Sequence, residues 1–433
     1  MKVWTRVLFV IAAILVGQIK MYSQIPLVAE EQKKSTLIVG AIIHIGDGTK
    51  LIDGAVGFID GEITFIGSDQ QVKRNEYDII IDAPGKHVYP SFIAPNSTLG
   101  IAEIGAVRAT RDFRETGTFN PHVRSIVAYN SESRITPTVR SNGVLMGQIT
   151  PRGGRISGQS SIVQFDAWDW EEAIVKEDDG FHLNWPRTQK WDRKTRKMDD
   201  NKDYQKEIDA LDEFLKKAKG YATQAPQAEM NLRYEALKNI FLSNKTIYAH
   251  AWDTRQILDA IAFLEKRELK NIVLVGAYDA WRVSDIIADK KIPVMISRVH
   301  SLPDRKDEDI DLPFKMAKKL QDAGILFCLE NEGGMSEMNS RNIPFLAGTC
   351  VAYGLSEEEA IASISLNAAK ILGIDDRYGS LTVGKSATLF ISTGDALDMI
   401  SNNVERAFID GRDIDLNNPQ KMLYEKFSKR VTQ

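Results

Sequence analysis

The apolar positions of this chain fall into two grammars. From Ser35 to about Tyr89 they form short strand-like runs separated by glycine turns. Thr36 to Ile45 breaks at Gly46-Asp47-Gly48, and Tyr77 to Asp82 is a further run. Ala55 to Ile59 and Glu62 to Ile66 flank Asp60-Gly61, a pair suited to a hairpin turn in which both residues need positive φ. The same grammar returns in Tyr378 to Ile391 and Val404 to Ile414. A β-unit of some 55 residues is too small to bury a core alone, so the two stretches are expected to fold together as one small β-sandwich.

Between them, apolar strands alternate with amphipathic helices, the pattern of parallel β/α units. The predicted strands are Val88 to Ile93, Val144 to Thr150, Ser161 to Phe165, Thr246 to Ala251, Ile272 to Gly276, Pro293 to Ser297 and Ile325 to Leu329. An eighth is expected in the irregular region after Gly158. Val88 to Ile93 is expected to leave through a turn at Pro95-Asn96-Ser97. Thr254 to Lys266 reads as a helix with Ile257, Ile261 and Leu264 on one face, and Ser356 with Glu359 reads as a capping box. This count predicts an α/β fold, a (β/α)8 TIM-like barrel over residues 90–377 with the β-sandwich built from 35–89 and 378–416, then a tail over 417–433. The charge-dense stretch from Gly180 to Gly220, carrying His182, Trp185 and Trp191, is expected to be a solvated insertion.

Composition refines this picture at the N-terminus. Lys2 and Arg6 precede ten apolar residues, Val7 to Val16, and Gly17 to Ser23 turns polar. That is the pattern of a secretory signal peptide over residues 1–23, since ten apolar residues are too few to span a bilayer. An uncleaved anchor is the alternative. Cleavage after Ser23 removes Lys2, Arg6 and Lys20 and takes the net charge from −4 to −7. The expectation is an exported protein, periplasmic or secreted, with no stable membrane anchor after cleavage. Its mildly acidic balance offers no surface for nucleic acid. Only Cys328 and Cys350 are present, so the core rather than a disulfide framework must stabilise the fold, and buried free thiols are expected.

The chemistry must be sought at the C-terminal ends of the barrel strands. Pro151 to Gln159 follows the strand ending at Thr150 and is expected to be a βα-loop there. Its Arg152, Gly153 and Gly154 could bind a carboxylate or phosphate of a substrate through charge and backbone N–H groups. A tight turn packed over the mouth is the alternative. Six histidines are available: His44, His87, His122, His182, His250 and His300. His250 ends a predicted barrel strand; His122 and His300 lie on segments that could reach the mouth.

Two runs carry a family resemblance. Leu366 to Leu389 (L-N-A-A-K-I-L-G-I-D-D-R-Y-G-S-L-T-V-G-K-S-A-T-L) and Val88 to Gly105 (V-Y-P-S-F-I-A-P-N-S-T-L-G-I-A-E-I-G) resemble the imidazolonepropionase-related branch of the amidohydrolase superfamily. In its first barrel strand that family carries P-G-F-I-D-x-H-x-H. Pro90, Phe92 and Ile93 match; Ser91 and Ala94 replace Gly and Asp, and Asn96 and Thr98 stand where two metal-binding histidines belong. The resemblance implies a hydrolase of carbon–nitrogen bonds, in which a metal-bound hydroxide attacks an amide-like carbon and a strand-8 aspartate shuttles the proton. It places His250 at a retained metal ligand and Glu332 in register with the aspartate, or Glu330 if the register slips by two. The catalytic candidates are therefore Glu332 and His250, with Arg152, Gly153, Gly154 and Asn96 as substrate-binding candidates. The expected cofactor is at most one divalent metal such as zinc on His250, held weakly or not at all. Two readings stand side by side: an exported amidohydrolase with a reduced site, and a catalytically silent relative. The latter would bind a small amide-like ligand, or assemble with itself or a metal-competent relative.

Overall fold

A computed structural model of the chain describes residues 27–223 and 230–431; the expected signal peptide lies outside them. Five strands open the fold: β1 (Thr36–His44), β2 (Lys50–Ile59), β3 (Glu62–Ser68), β4 (Ile79–Asp82) and β5 (His87–Pro90). The barrel strands β6 (Phe92–Ser97), β7 (Val144–Ile149), β8 (Ile156–Gln164) and β9 (Ile174–Asn184) follow. A small hairpin, β10 (Gln189–Asp192) and β11 (Lys197–Asp200), precedes β12 (Thr246–Ala251), β13 (Ile272–Gly276), β14 (Val294–Ile296) and β15 (Phe327–Leu329). The chain then returns through β16 (Leu389–Ser392), β17 (Val404–Ile409) and β18 (Arg412–Ile414).

The two glycine-punctuated stretches do fold together. They form one eight-stranded sheet in which β16 pairs with β5, joining the C-terminal segment to the N-terminal one. The start of β3 also meets the segment leading into β16, with Ile63 N–H donating to the Lys385 carbonyl and Ala387 N–H to that of Gly61. Their shared core mixes Ile38, Val56, Phe58 and Val88 with Leu381, Leu389, Ile391 and Phe408. The β2–β3 turn is built as its sequence demands, with Asp60 at φ 51° and Gly61 at φ 80°.

The barrel is an eight-stranded sheet in the order β15-β14-β13-β12-β9-β8-β7-β6, and it corrects the sequence reading in four places. First, Val88 to Ile93 is two strands: β5 belongs to the small sheet, Ser91 makes the break, and β6 opens the barrel. Second, the turn expected at Pro95-Asn96-Ser97 lies within β6, whose pairing with β7 slips between Ala94 and Ser97. Third, the eighth strand is β9, so residues 180–184 with His182 are barrel wall and the insertion begins only afterwards. Trp185 is accordingly buried and donates from Nε1 to the Tyr204 hydroxyl. Fourth, Pro151 to Arg155 is a turn between antiparallel strands, because β8 runs against both β7 and β9. The tail contains a helix, Pro419–Val431. Cys328 and Cys350 are buried free thiols.

Side chains alternate along the strands and sort the barrel interior into layers. Ile93, Met146, Ile162, Tyr248, Val275, Met295 and Cys328 meet Ile371, Leu372 and Ile374 of the Leu366–Leu372 helix and its exit in one apolar cluster. Two residues nearer the mouth, on the same faces of β7, β8, β12 and the exit of β15, stand Gln148, Ser160, His250 and Glu330. The wall is thus apolar below and polar above.

Candidate functional site

The site is centred on Asn96. Its φ of 51° lies in the left-handed region, which asparagine tolerates better than most residues. The conformation is held from both sides: Asn96 N–H donates to Gln148 Oε1 at 3.1 Å, and Arg152 Nη2 donates to its carbonyl at 2.7 Å. The Asn96 side chain then has a polarity. Its Nδ2 faces two carboxylates, Glu332 Oε2 at 3.0 Å and Glu330 Oε2 at 3.3 Å, while its Oδ1 accepts from Arg152 Nη1 at 2.6 Å. Arg152 Nε lies 3.5 Å from Glu332 Oε1. Four residues named from the sequence therefore meet here: Asn96, Arg152, Glu332 and, with Nδ1 at 3.8 Å from Glu332 Oε2, His250. Glu330, the slipped-register candidate, sits beside Glu332 rather than instead of it, and its Oε2 accepts the Glu332 N–H at 2.5 Å.

Gly153 and Gly154 shape the turn that presents Arg152. Both have positive φ (87° and 66°), and a Cβ on either would meet the Arg114 side chain or the Thr118 carbonyl at under 3.0 Å. Thr98 bonds to Ser336 and Glu337 and has no contact with this group. His300 bonds to Thr349 at 2.6 Å, and the loop holding His122 runs along β8 through bridges at Phe119 and Arg124. Neither joins the group.

Beneath His250 is a set of partners that the sequence reading missed. His250 Nε2 is 2.9 Å from His182 Nδ1, and His182 Nε2 is 2.9 Å from Ser160 Oγ. Asp179 ends the chain, taking Ser160 Oγ at 2.5 Å, Tyr248 OH at 2.6 Å and Gln148 Nε2 at 2.8 Å. All of these except His250 are buried. The alternation in Gly180-Phe181-His182-Leu183-Asn184 was the signal that could have placed His182 on a strand.

Burial and neighbouring charge separate the titrating groups. Burial, reinforced by Glu332, pushes Glu330 well above the ordinary carboxylate range. Burial also acts on Glu332, but Arg152, His250, Asn96 and Arg187 outweigh it and hold this carboxyl below its usual value. Burial lowers His250 to about 4 against the pull of Glu332, and burial with His250 and Arg152 lowers His182 well below its ordinary value. Near neutral pH the mouth therefore holds one protonated glutamic acid, one glutamate, one arginine and two neutral imidazoles.

Residues 184–414 match the amidohydrolase family, more than half of the chain. The chain belongs to that family. Over 110 residues this amidohydrolase-family chain is 32% identical to the imidazolonepropionase of Flavobacterium psychrophilum, a stretch covering 24% of this chain and 27% of that protein. A 38-residue stretch is 58% identical to the imidazolonepropionase of Shewanella oneidensis, 9% of each chain. The chain thus aligns with only about a quarter or less of these relatives' length. In three dimensions the likeness is broad. The crystal structure of an amidohydrolase from Thermotoga maritima superposes with a TM-score of 0.75 at 25% identity, covering 87% of this chain and 99% of that one. Molinate hydrolase shares the fold at 14% identity with a TM-score of 0.55.

A zinc-type cation needs three or four N, S or carboxylate donors converging at about 2.0–2.3 Å. The donor set here does not fit that ion. Asn96 turns its N–H groups toward the carboxylates, Arg152 occupies its oxygen, and His250 Nε2 is committed to His182. Among the described residues, no group of three or more His, Cys, Asp or Glu could hold a metal.

Proposed function

We propose that this chain is an exported amidohydrolase-family protein whose barrel mouth binds a small amide-bearing molecule, such as a cyclic amide or dipeptide, without a resident divalent metal. One observation carries the proposal: the Arg152 guanidinium lies between Asn96 and Glu332, supplying a fixed positive charge where the family's metal would face its strand-8 carboxylate. An amide offers one acceptor and one donor. The Arg152 guanidinium can donate to the carbonyl, while the partly exposed Glu332 can accept from the N–H. Export, and assembly with itself or with a metal-competent relative, belong to the same proposal.

The test is binding and turnover measured together. Isothermal calorimetry with hydantoin, dihydropyrimidine and β-aspartyl dipeptide probes should give saturable binding that Arg152→Ala weakens at least tenfold, with no product over hours. Absence of binding by all three classes would overturn the amide reading. A second reading, metal-independent hydrolysis, is favoured by the ionised Glu332 beside neutral His250, a pair able to take a proton from water. Turnover that disappears in Glu332→Gln would establish it.

A further inference from the structure

The buried partners beneath His250 form a chain whose direction can be worked out from one fixed donor. A backbone N–H only donates, so Asn96 N–H makes Gln148 Oε1 the acceptor and leaves Nε2 as the amide's donor end. Gln148 Nε2 then donates to Asp179 Oδ2 at 2.8 Å and to Ser160 Oγ at 3.2 Å. Tyr248, a phenol buried against the barrel interior, donates to the same Oδ2. Burial raises the Asp179 carboxyl, but the two donors on Oδ2 favour its charged form, and a carboxylate can only accept. The single Ser160 proton accordingly points to Asp179 Oδ1 at 2.5 Å, and the lone pairs of Oγ receive Gln148 and His182 Nε2. A neutral imidazole carries one ring proton. His182 spends its own on Ser160, so its Nδ1 must accept, and the donor is His250 Nε2.

We infer that Asp179, Ser160 and His182 act as positioning residues that fix His250 as its Nε2–H tautomer, leaving Nδ1 a bare acceptor at the barrel mouth. The ligand must therefore meet His250 through a hydrogen-bond donor, such as an amide N–H. The 3.8 Å from Nδ1 to Glu332 Oε2 agrees: an Nδ1–H would draw the carboxylate into a hydrogen bond, whereas two acceptors stand apart. One N–H of a ligand can be shared by both. This last step rests on the mouth being the binding site; the tautomer itself does not.

The experiment is long-range ¹H–¹⁵N correlation spectroscopy on the full, ligand-free protein labelled with ¹⁵N-histidine, with His250 assigned from the signals lost in His250→Gln. The expected result is a pyrrole-like Nε2 and a pyridine-like Nδ1 for His250. Ser160→Ala cuts the chain, and Glu332 should then draw the proton to Nδ1, moving both signals most of the way toward the opposite tautomer. Asp179→Asn should do the same and serves if Ser160→Ala does not fold. A pyrrole-like Nδ1 in the unaltered protein would overturn the inference, as would unchanged His250 signals in both variants. With no ligand in the sample, failure of amide binding and failure of the relay are read separately.

Discussion

Among the described residues, two histidine pairs each join a buried imidazole to a partly exposed one, His44 with His87 and His182 with His250, and their difference separates structure from function. At the junction of the small sheet and the barrel, His44 uses both ring nitrogens, Nδ1 with Glu358 at 2.8 Å and Nε2 with His87 at 2.9 Å. It is fully buried and stacks on Tyr89 at 4.2 Å between ring centres. At the mouth, His250 uses one nitrogen and directs the other at a carboxylate beyond hydrogen-bond reach. A histidine with both nitrogens satisfied inside a stacked aromatic group is a joint. A histidine with one nitrogen unspent, beside a guanidinium and two carboxyls of opposite protonation, is a site.

Substitutions should break this contrast in graded steps. His44→Ala leaves a cavity and strips both partners, and should cost about 3–4 kcal/mol in denaturant unfolding. Arg152→Ala should cost about 2–3 kcal/mol, because the buried Asn96 carbonyl loses its donor and Glu332 its charge partner. That cost should shrink at acid pH as Glu332 takes a proton. His250→Ala should cost only about 1–2 kcal/mol, the penalty of leaving His182 Nδ1 unpaired. A His250→Ala loss equal to that of His44→Ala would erase the distinction between joint and site.

The smallest effect concerns Glu330 and changes with pH. Its carboxyl titrates higher folded than unfolded, so the folded state holds the extra proton. The stability it contributes is complete below its ordinary value of 4.5 and is lost as pH rises through the folded value. Glu330→Gln lacks this dependence. The difference between variant and unaltered protein should move in the variant's favour by about 1 kcal/mol or more from mildly acidic to mildly alkaline pH. A pH-independent difference would show that Glu330 is ionised.

What the sequence disclosed follows the range of the interactions involved. The Asp60-Gly61 hairpin and the Ser356–Glu359 capping box were legible because each is settled within four residues, and both are present as read. The barrel and its split β-domain were legible from period and order. Strand direction was not, because alternation looks the same in β8 whichever way it runs. His182 was lost between two charged runs, Lys176 to Asp179 and the one that resumes at Arg187, which drew the insertion's edge into a barrel strand. Glu330 and Glu332 looked like alternatives because a regular register admits one. The left-handed Asn96 lets a single side chain bond to both.

On the proposed function, Arg152 supplies the positive charge a metal would otherwise bring. Elemental analysis of the protein purified after growth with added zinc tests it most directly. Well under one zinc per chain is expected, with Arg152→Ala no less depleted. One or two tightly held divalent ions per chain, lost in His250→Ala, would contradict it.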